Sequence, residues 1–337
     1  MMTMSNPYGP FIRTEARFSR MVFDMILAAV VLGIYSAATY GLRPLMVLVV
    51  SLLTAMAFEA VCCLIGRRPL RMVLDGTAAI TGLTVGLLMS PMVPMWVPMV
   101  GSAFAIVVAK APFGGTGRNV FNPAAAGVAL LTYCFPHRMF TYPAIQSGVS
   151  LPLEFTPNEA AIATETSLAG QLKTGALPVI DRLDILLGNF VGAIGTTAFL
   201  ILLVLICYLM VRRTISPWVV LPYLATCALI AWLSPLSNMN ALNSLLLQMG
   251  SGYVLFAGVF LINDPVTTPR FWLGRLFYGI LTAMMVMLLQ RVGRFEAGTC
   301  FGILLMNAFA PIIDRWSWHI WYRLTHKRRT HEEVTDE

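Results

Sequence analysis

Gly114-Gly115-Thr116-Gly117-Arg118-Asn119-Val120-Phe121-Asn122-Pro123-Ala124-Ala125-Ala126-Gly127 lies between two runs apolar enough to cross a membrane. A lipid-facing span avoids this mixture, because every backbone polar group freed by Gly or Pro needs a partner where water is absent. Such backbone persists at membrane depth only where it lines a protein-enclosed cavity. A second break, Ile262-Asn263-Asp264-Pro265-Val266-Thr267-Thr268-Pro269, closes another apolar run much later. The two breaks predict a membrane protein built around a polar pocket.

Composition agrees. The 337 residues are 58% hydrophobic and 12% charged, with a mean hydropathy of +0.75; a globular domain is nearer about 25% charged. Segments of span length fall at 21–41, 45–65, 77–93, 95–110, 119–136, 184–211, 215–234, 241–262, 274–291 and 296–313. The expected fold is an all-α polytopic membrane protein with about ten transmembrane helices. The segment 137–183, mixed and polar with Glu154, Glu159, Glu165 and Asp181, divides the spans five and five. An odd number per half inverts the second half relative to the first. The expected domains are a membrane half at 1–136, an outer loop at 137–183, a second membrane half at 184–314 and a basic tail at 315–337. Faint echoes support the inverted five-helix repeats: Gly117-Arg118 before the fifth span and Gly293-Arg294 before the tenth, Asp75-Gly76-Thr77 opening the third and Gly188-Asn189 in the sixth. Inverted repeats with interrupted helices hold ligands near the midplane.

With the N-terminus inside, 17 of the 23 Lys and Arg residues fall on cytoplasmic segments, as the positive-inside rule requires. Both termini are then cytoplasmic. The net charge of +7 faces anionic headgroups rather than nucleic acid. The first apolar run is long and lacks a small-x-small cleavage site, so it reads as an uncleaved span. Cys62, Cys63, Cys134, Cys207, Cys227 and Cys300 all fall in expected spans without a C-x-x-C pair, and are expected to be buried apolar fillers.

In the first break, glycines allow close backbone approach and the following helix start offers free N–H groups. Asn119 and Asn122 add donors and acceptors, and Arg118 offers a cation for an anionic group; a purely structural re-entrant turn is the competing reading. Asp264 stands at a helix end, where it can pair with Arg270, accept from a ligand's ring N–H, bind a cation or simply stop the helix; Thr267 follows it. Asp24, Glu59, Asp75 and Lys110 also lie in or near spans, where charge is costly and marks a pathway or site by default. Gly76, Gly82 and Gly86, and Gly188, Gly192 and Gly195, are read as helix-packing residues. Ala163 to Gly170 in the outer loop, taken alone, is a Ser/Thr-rich cap or turn.

Several of these segments together resemble the RnfD/NqrB family: the D subunit of the Rnf complex, an ion-pumping ferredoxin:NAD oxidoreductase, and the related B subunit of the sodium-pumping NADH:quinone oxidoreductase. The matching stretches are Ser5 to Tyr8, Asp75 to Leu83, Lys110 to Ala124, Gly188 to Gly195, Asn263 to Thr267 and Leu304 to Asp314, in family order along nearly the whole chain. The resemblance implies an FMN joined by a phosphoester to a threonine of the outer loop. Thr164-Glu165-Thr166-Ser167-Leu168 matches best, making Thr166 the acceptor and Thr164 the fallback; Glu165 stands where that motif has alanine. Gly195-Thr196-Thr197 replaces the family's Gly-Glu-Thr. A second, noncovalent flavin such as riboflavin is implied at the two breaks, with Arg118, Asn119, Asn122, Asp264 and Thr267 as candidates. Further implications are other Rnf subunits as partners, a flavin transferase for maturation, residence in a bacterial inner membrane, and electron relay coupled to Na⁺ or H⁺ by a subunit not catalytic alone. A cofactor-free small-solute channel or transporter with inverted repeats is the alternative.

Overall fold

Long apolar runs form long helices here, and each Gly/Pro cluster cuts one short. The computed structural model describes residues 15–144, 151, 153–157, 164–173, 178, 180–235, 240–292 and 298–335. Ser5 to Tyr8, Glu159, Ala163 and Gly293-Arg294 lie outside them. The helices α1 (Glu15–Tyr40), α2 (Arg43–Ile65), α3 (Thr77–Leu87), α4 (Trp96–Val107) and α5 (Pro123–Cys134) come first, with a 3₁₀ turn at Leu70–Asp75. The short α6 (Pro136–Met139) leads into a two-stranded antiparallel ribbon, β1 (Tyr142–Pro143) with β2 (Thr164–Glu165). Then follow α7 (Leu168–Lys173), α8 (Arg182–Leu187), α9 (Phe199–Val211), α10 (Pro217–Leu233), α11 (Ala241–Gly250) and α12 (Val254–Phe256). A π-helical turn at Ala257–Leu261 continues α12, and α13 (Trp272–Val292) and α14 (Gly298–Thr335) end the chain.

Phe18–Tyr40, Arg43–Ile65 and Trp272–Val292 are long and apolar enough to cross a membrane, and Ala241–Gly250 with Val254–Leu261, bent by 62°, makes a fourth if counted as one broken span. Among the described residues, five further apolar helices, α3, α4, α5, α9 and α10, are shorter. The chain is thus helical, with apolar helices that fit an integral membrane protein.

Several boundaries correct the sequence reading. The expected span 77–93 stops at Leu87, because Pro91 and Pro94 follow and supply no N–H to a helix. The expected span 184–211 is broken. Gly188 ends α8 in the left-handed region at φ +84, and helix resumes only at Phe199. Gly188, Gly192 and Gly195 therefore lie in irregular backbone, not on a helix face. The tenth span, expected to end near 313, runs as helix through Pro311. Cys63, Cys227 and Cys300 are buried as expected, but Cys62 is only partly buried and Cys134 and Cys207 are exposed.

Irregular backbone in an apolar interior must find its own partners. Ile194 N donates to Met89 O at 2.9 Å and Gly195 N to Leu87 O at 2.7 Å. Tyr253 Oη donates to Leu88 O at 2.9 Å. The breaks after α3, after α8 and between α11 and α12 thus satisfy one another within an apolar core cluster whose members run from α1 to α14. Small residues bring helix backbones together, as expected at Gly82, where a Cβ would stand 2.7 Å from Ser51 O, and also at Gly127, where it would stand 2.5 Å from Gly101 O.

Candidate functional site

The first break folds through three glycines with positive φ, Gly114 (+112), Gly115 (+85) and Gly117 (+88), a region closed to most side chains. They reverse the chain between α4 and α5 in few residues. Asn122 then starts α5: its Oδ1 accepts from Ala125 N at 3.1 Å and Pro123 follows in the first helical turn, the usual N-cap chemistry. The Nδ2 of the same side chain donates to Leu261 O at 2.9 Å. Leu261 closes the π-helical turn, whose register frees carbonyls that an α-helix would use; Asn263 Nδ2 takes another, Gly258 O, at 2.6 Å. Asn119 Nδ2 donates to Asp264 Oδ2 at 2.9 Å and to Phe121 O at 3.2 Å. Asp264 Oδ1 accepts from Val266 N at 3.0 Å. Two breaks about 145 residues apart in sequence are therefore tied together by side-chain amides.

They close one side of a cavity of about 380 Å³, inside the range of about 300–1,000 Å³ usual for small-molecule sites. Phe18, Met21, Val22, Met25 and Phe260 give it an apolar wall; Thr77, Thr81, Thr84, Thr116, Asn119 and Asp264 give it a polar one. Lys110 and Arg270 also line it. Lys110 is 3% exposed, with Nζ 3.1 Å from Glu59 Oε2 and donating to Thr77 Oγ1 at 2.8 Å. Thr77 Oγ1 in turn donates to Asp75 Oδ1 at 2.6 Å, and Thr116 Oγ1 donates to Asp75 Oδ2 at 2.9 Å. One buried cation thus sits at the head of a chain joining α2, α3 and the first break. Asp24, fully buried on α1, pairs with Arg212 at 3.0 Å and accepts from Thr214 Oγ1 at 2.8 Å, holding α1 against the end of α9.

Of the residues expected at the site, Asn119, Asn122 and Asp264 line the cavity. Thr267 is buried behind the wall, its hydroxyl without a hydrogen-bond partner among the described residues. Arg118 is exposed and off the wall; Lys110 and Arg270 bring the cationic groups instead. Arg270 does not pair with Asp264; its backbone N–H donates to Asp314 Oδ1 at 3.1 Å. Asp24, Glu59 and Asp75 stand behind the wall as ion-pair or hydrogen-bond partners. Thr77, Thr81 and Thr84 were missed, although spacings of four and three put three hydroxyls on one helix face. Arg43, to which the sequence pattern assigns no role, is fully buried and donates to Pro91 O at 2.9 Å, Val93 O at 3.0 Å and Glu154 O at 2.5 Å.

Thr166 lies at the other end of the molecule. It is exposed between β2 and α7, with Ser167 Oγ already capping Gly170 N at 3.1 Å. Tyr40, at the far end of α1 from the cavity, is within electrostatic reach of neighbouring Glu165. From Val22 on the cavity wall to Tyr40 is about 27 Å of helix at 1.5 Å per residue.

The residues at both places are compatible with the flavins that the family resemblance implies. The cavity combines an apolar wall for a flat ring with hydroxyls, and Asp264 keeps spare lone pairs on oxygens that each accept one bond. The Thr166 side chain is exposed; the 20 Å³ cleft beside it, lined by Ser167, Gly192 and Tyr253, is too small to enclose a flavin ring.

Among known proteins, the chain is 29% identical to the D subunit of the ion-translocating oxidoreductase complex of Halorhodospira halophila, over 91% of this chain and 92% of the relative. It is 30% identical to the protein of the same name from Stutzerimonas stutzeri, over 88% and 89%. It is 26% identical to the D subunit of the proton-translocating ferredoxin:NAD(+) oxidoreductase complex of Clostridium ljungdahlii, over 92% and 93%. Residues 5–321 match one family throughout, and with the two breaks meeting on one cavity, the chain belongs to the NQR2, RnfD, RnfE family.

Proposed function

We propose that the chain is the flavin-carrying D subunit of a redox-driven, ion-translocating ferredoxin:NAD oxidoreductase complex, and that it is not catalytic alone. The observation that carries this reading is the junction of the two polar breaks, Asn119 to Asp264 at 2.9 Å, on a cavity sized for a small molecule within an apolar helix bundle. The relatives' names support the complex and its ion coupling; the ion is Na⁺ or H⁺. Ten spans in inverted repeats, with halves at 1–136 and 184–314, the loop 137–183 outside and both termini cytoplasmic, are part of the reading. So are a bacterial inner membrane, the remaining subunits as partners and a flavin transferase.

Bound flavin supplies one-electron chemistry, while the protein's part is position and tuning. Asp264 offers an acceptor for a ring N–H, held in place by Asn119 and Val266. Thr81 and Thr84 offer hydroxyls to a polyol chain, and Phe18, Met21, Val22 and Met25 would give the ring an apolar surface. Lys110, neutralised by Glu59, keeps the wall close to electrically balanced and so suits an uncharged flavin such as riboflavin. Thr166 would hold the second group, FMN, through its side-chain oxygen.

The test is a denaturing gel viewed under ultraviolet light. Chain made with its transferase should fluoresce, and Thr166→Ala should lose the signal while keeping its noncovalent flavin. Fluorescence that survives Thr166→Ala moves the acceptor to Thr164; a dark wild-type band removes covalent FMN. A cofactor-free solute channel would give a dark band and release no flavin.

A further inference from the structure

We infer that the segment Arg315–Arg323 of α14 is a binding site for the headgroup of an anionic phospholipid. The inference rests on the reading of α14 as a membrane-crossing helix. From Gly298 to Ile313 the helix is mostly apolar and about 24 Å long at 1.5 Å per residue, close to the hydrocarbon thickness of about 30 Å. The next two turns therefore emerge at headgroup level.

The level is marked independently. Trp218 begins α10 and Trp272 begins α13, their rings 5.6 Å apart, and both are about half exposed. Phe271 packs edge-on against Trp321 at 5.5 Å. The starts of two other helices thus share an aromatic belt with this stretch of α14, and Trp and Tyr collect where a membrane meets water.

Within the belt, Arg315, His319 and Arg323 recur every four residues and form one stripe. Trp316, which is 70% exposed, and Ile320 form an apolar stripe beside it. Together they line a groove of about 450 Å³. The side chains of Arg315 and Arg323 have no ion pair or hydrogen bond among the described residues. His319 Nδ1 is engaged with Arg315 O at 2.9 Å, leaving Nε2 for another partner. Two unpaired guanidiniums beside an exposed indole, at headgroup depth, suit a phosphate on an acyl-bearing molecule: the forks match phosphate oxygens, and the apolar stripe meets the upper acyl chain. A zwitterionic lipid offers the same phosphate, but its ammonium group cancels the attraction; a net negative headgroup does not.

The experiment uses the full chain in mild detergent, with thermal unfolding followed after adding phosphatidylglycerol, phosphatidylcholine or inorganic phosphate. Phosphatidylglycerol should raise the Tm by several degrees, as any ligand that binds only the folded state does, and phosphatidylcholine much less. Arg315→Gln with Arg323→Gln should remove at least half of that gain, and Arg315→Lys with Arg323→Lys should keep most of it. These positions are exposed, so the variants should fold; the cavity's flavin content, measured alongside, should not change. An equal gain in the glutamine variant overturns the site, and an equal gain from inorganic phosphate makes it a free-anion site. A gain seen with the isolated chain but lost from the assembled complex assigns the groove to a partner protein. Loss of flavin from wild type with the lipid effect intact would count against the proposed function alone.

Discussion

Asn122 serves two breaks with one amide, capping α5 through Oδ1 and holding Leu261 O through Nδ2. Asn122→Leu should lower stability by about 1–3 kcal/mol, the usual cost of leaving buried groups unsatisfied, and should reduce acid-released flavin per chain. A lower Tm with flavin content unchanged would leave the breaks as architecture alone. Gly127 sets a different limit, since its Cβ would stand 2.5 Å from Gly101 O. Gly127→Ala should cost about 1–3 kcal/mol by overpacking, read as a drop in Tm without loss of covalent fluorescence. At this scale the sequence was informative wherever a polar residue interrupted an apolar run, as at Asn119, Asn122 and Asp264. It misled at Arg118, which shares that run yet turns outward, because one residue of rotation in a glycine-rich turn changes the side that faces the cavity. Arg43 could not be found, since its partners are carbonyls of distant segments and backbone leaves no mark in composition.

Among elements, the positions of the breaks were legible and the lengths of the helices were not. Hydrophobicity continues through Leu87 to Val100 and from Leu186 to Leu205, so an apolar window sees one span where the chain is irregular. What ends these helices is local: Pro91 and Pro94 in one case, Gly188 in the left-handed region in the other. What makes the endings tolerable is not local, because Leu87, Leu88 and Met89 are satisfied by Gly195, Tyr253 and Ile194 from the other half. The Glu59–Lys110 pair joins α2 to the first break in the same long-range way. Glu59→Gln or Lys110→Met alone strands a buried charge and should cost about 3–5 kcal/mol. The double variant should recover much of that, as coupled neighbours do not add. Additive losses in denaturant or thermal unfolding would show that the pair is not a unit.

Over the whole molecule, the two candidate flavin sites sit at opposite ends of α1, separated by about 27 Å of helix, comparable to the hydrocarbon thickness of about 30 Å. A carrier with one group at each face is suited to taking electrons on one side and delivering them on the other, with other subunits covering the remaining gap. The proposed orientation rests on the distribution of basic residues: Ser147→Cys, in the loop 137–183, should react with an impermeant thiol reagent added from outside intact cells, and reaction only after the membrane is opened would invert the topology. That the chain carries flavin in both places is tested most directly by the visible spectrum of the purified chain, made with its transferase, before and after acid precipitation. Absorption bands near about 370 and 450 nm, as expected of bound flavin, should be present at first and then divide, part remaining with the precipitated chain and part passing into the supernatant. A colourless protein would contradict the account.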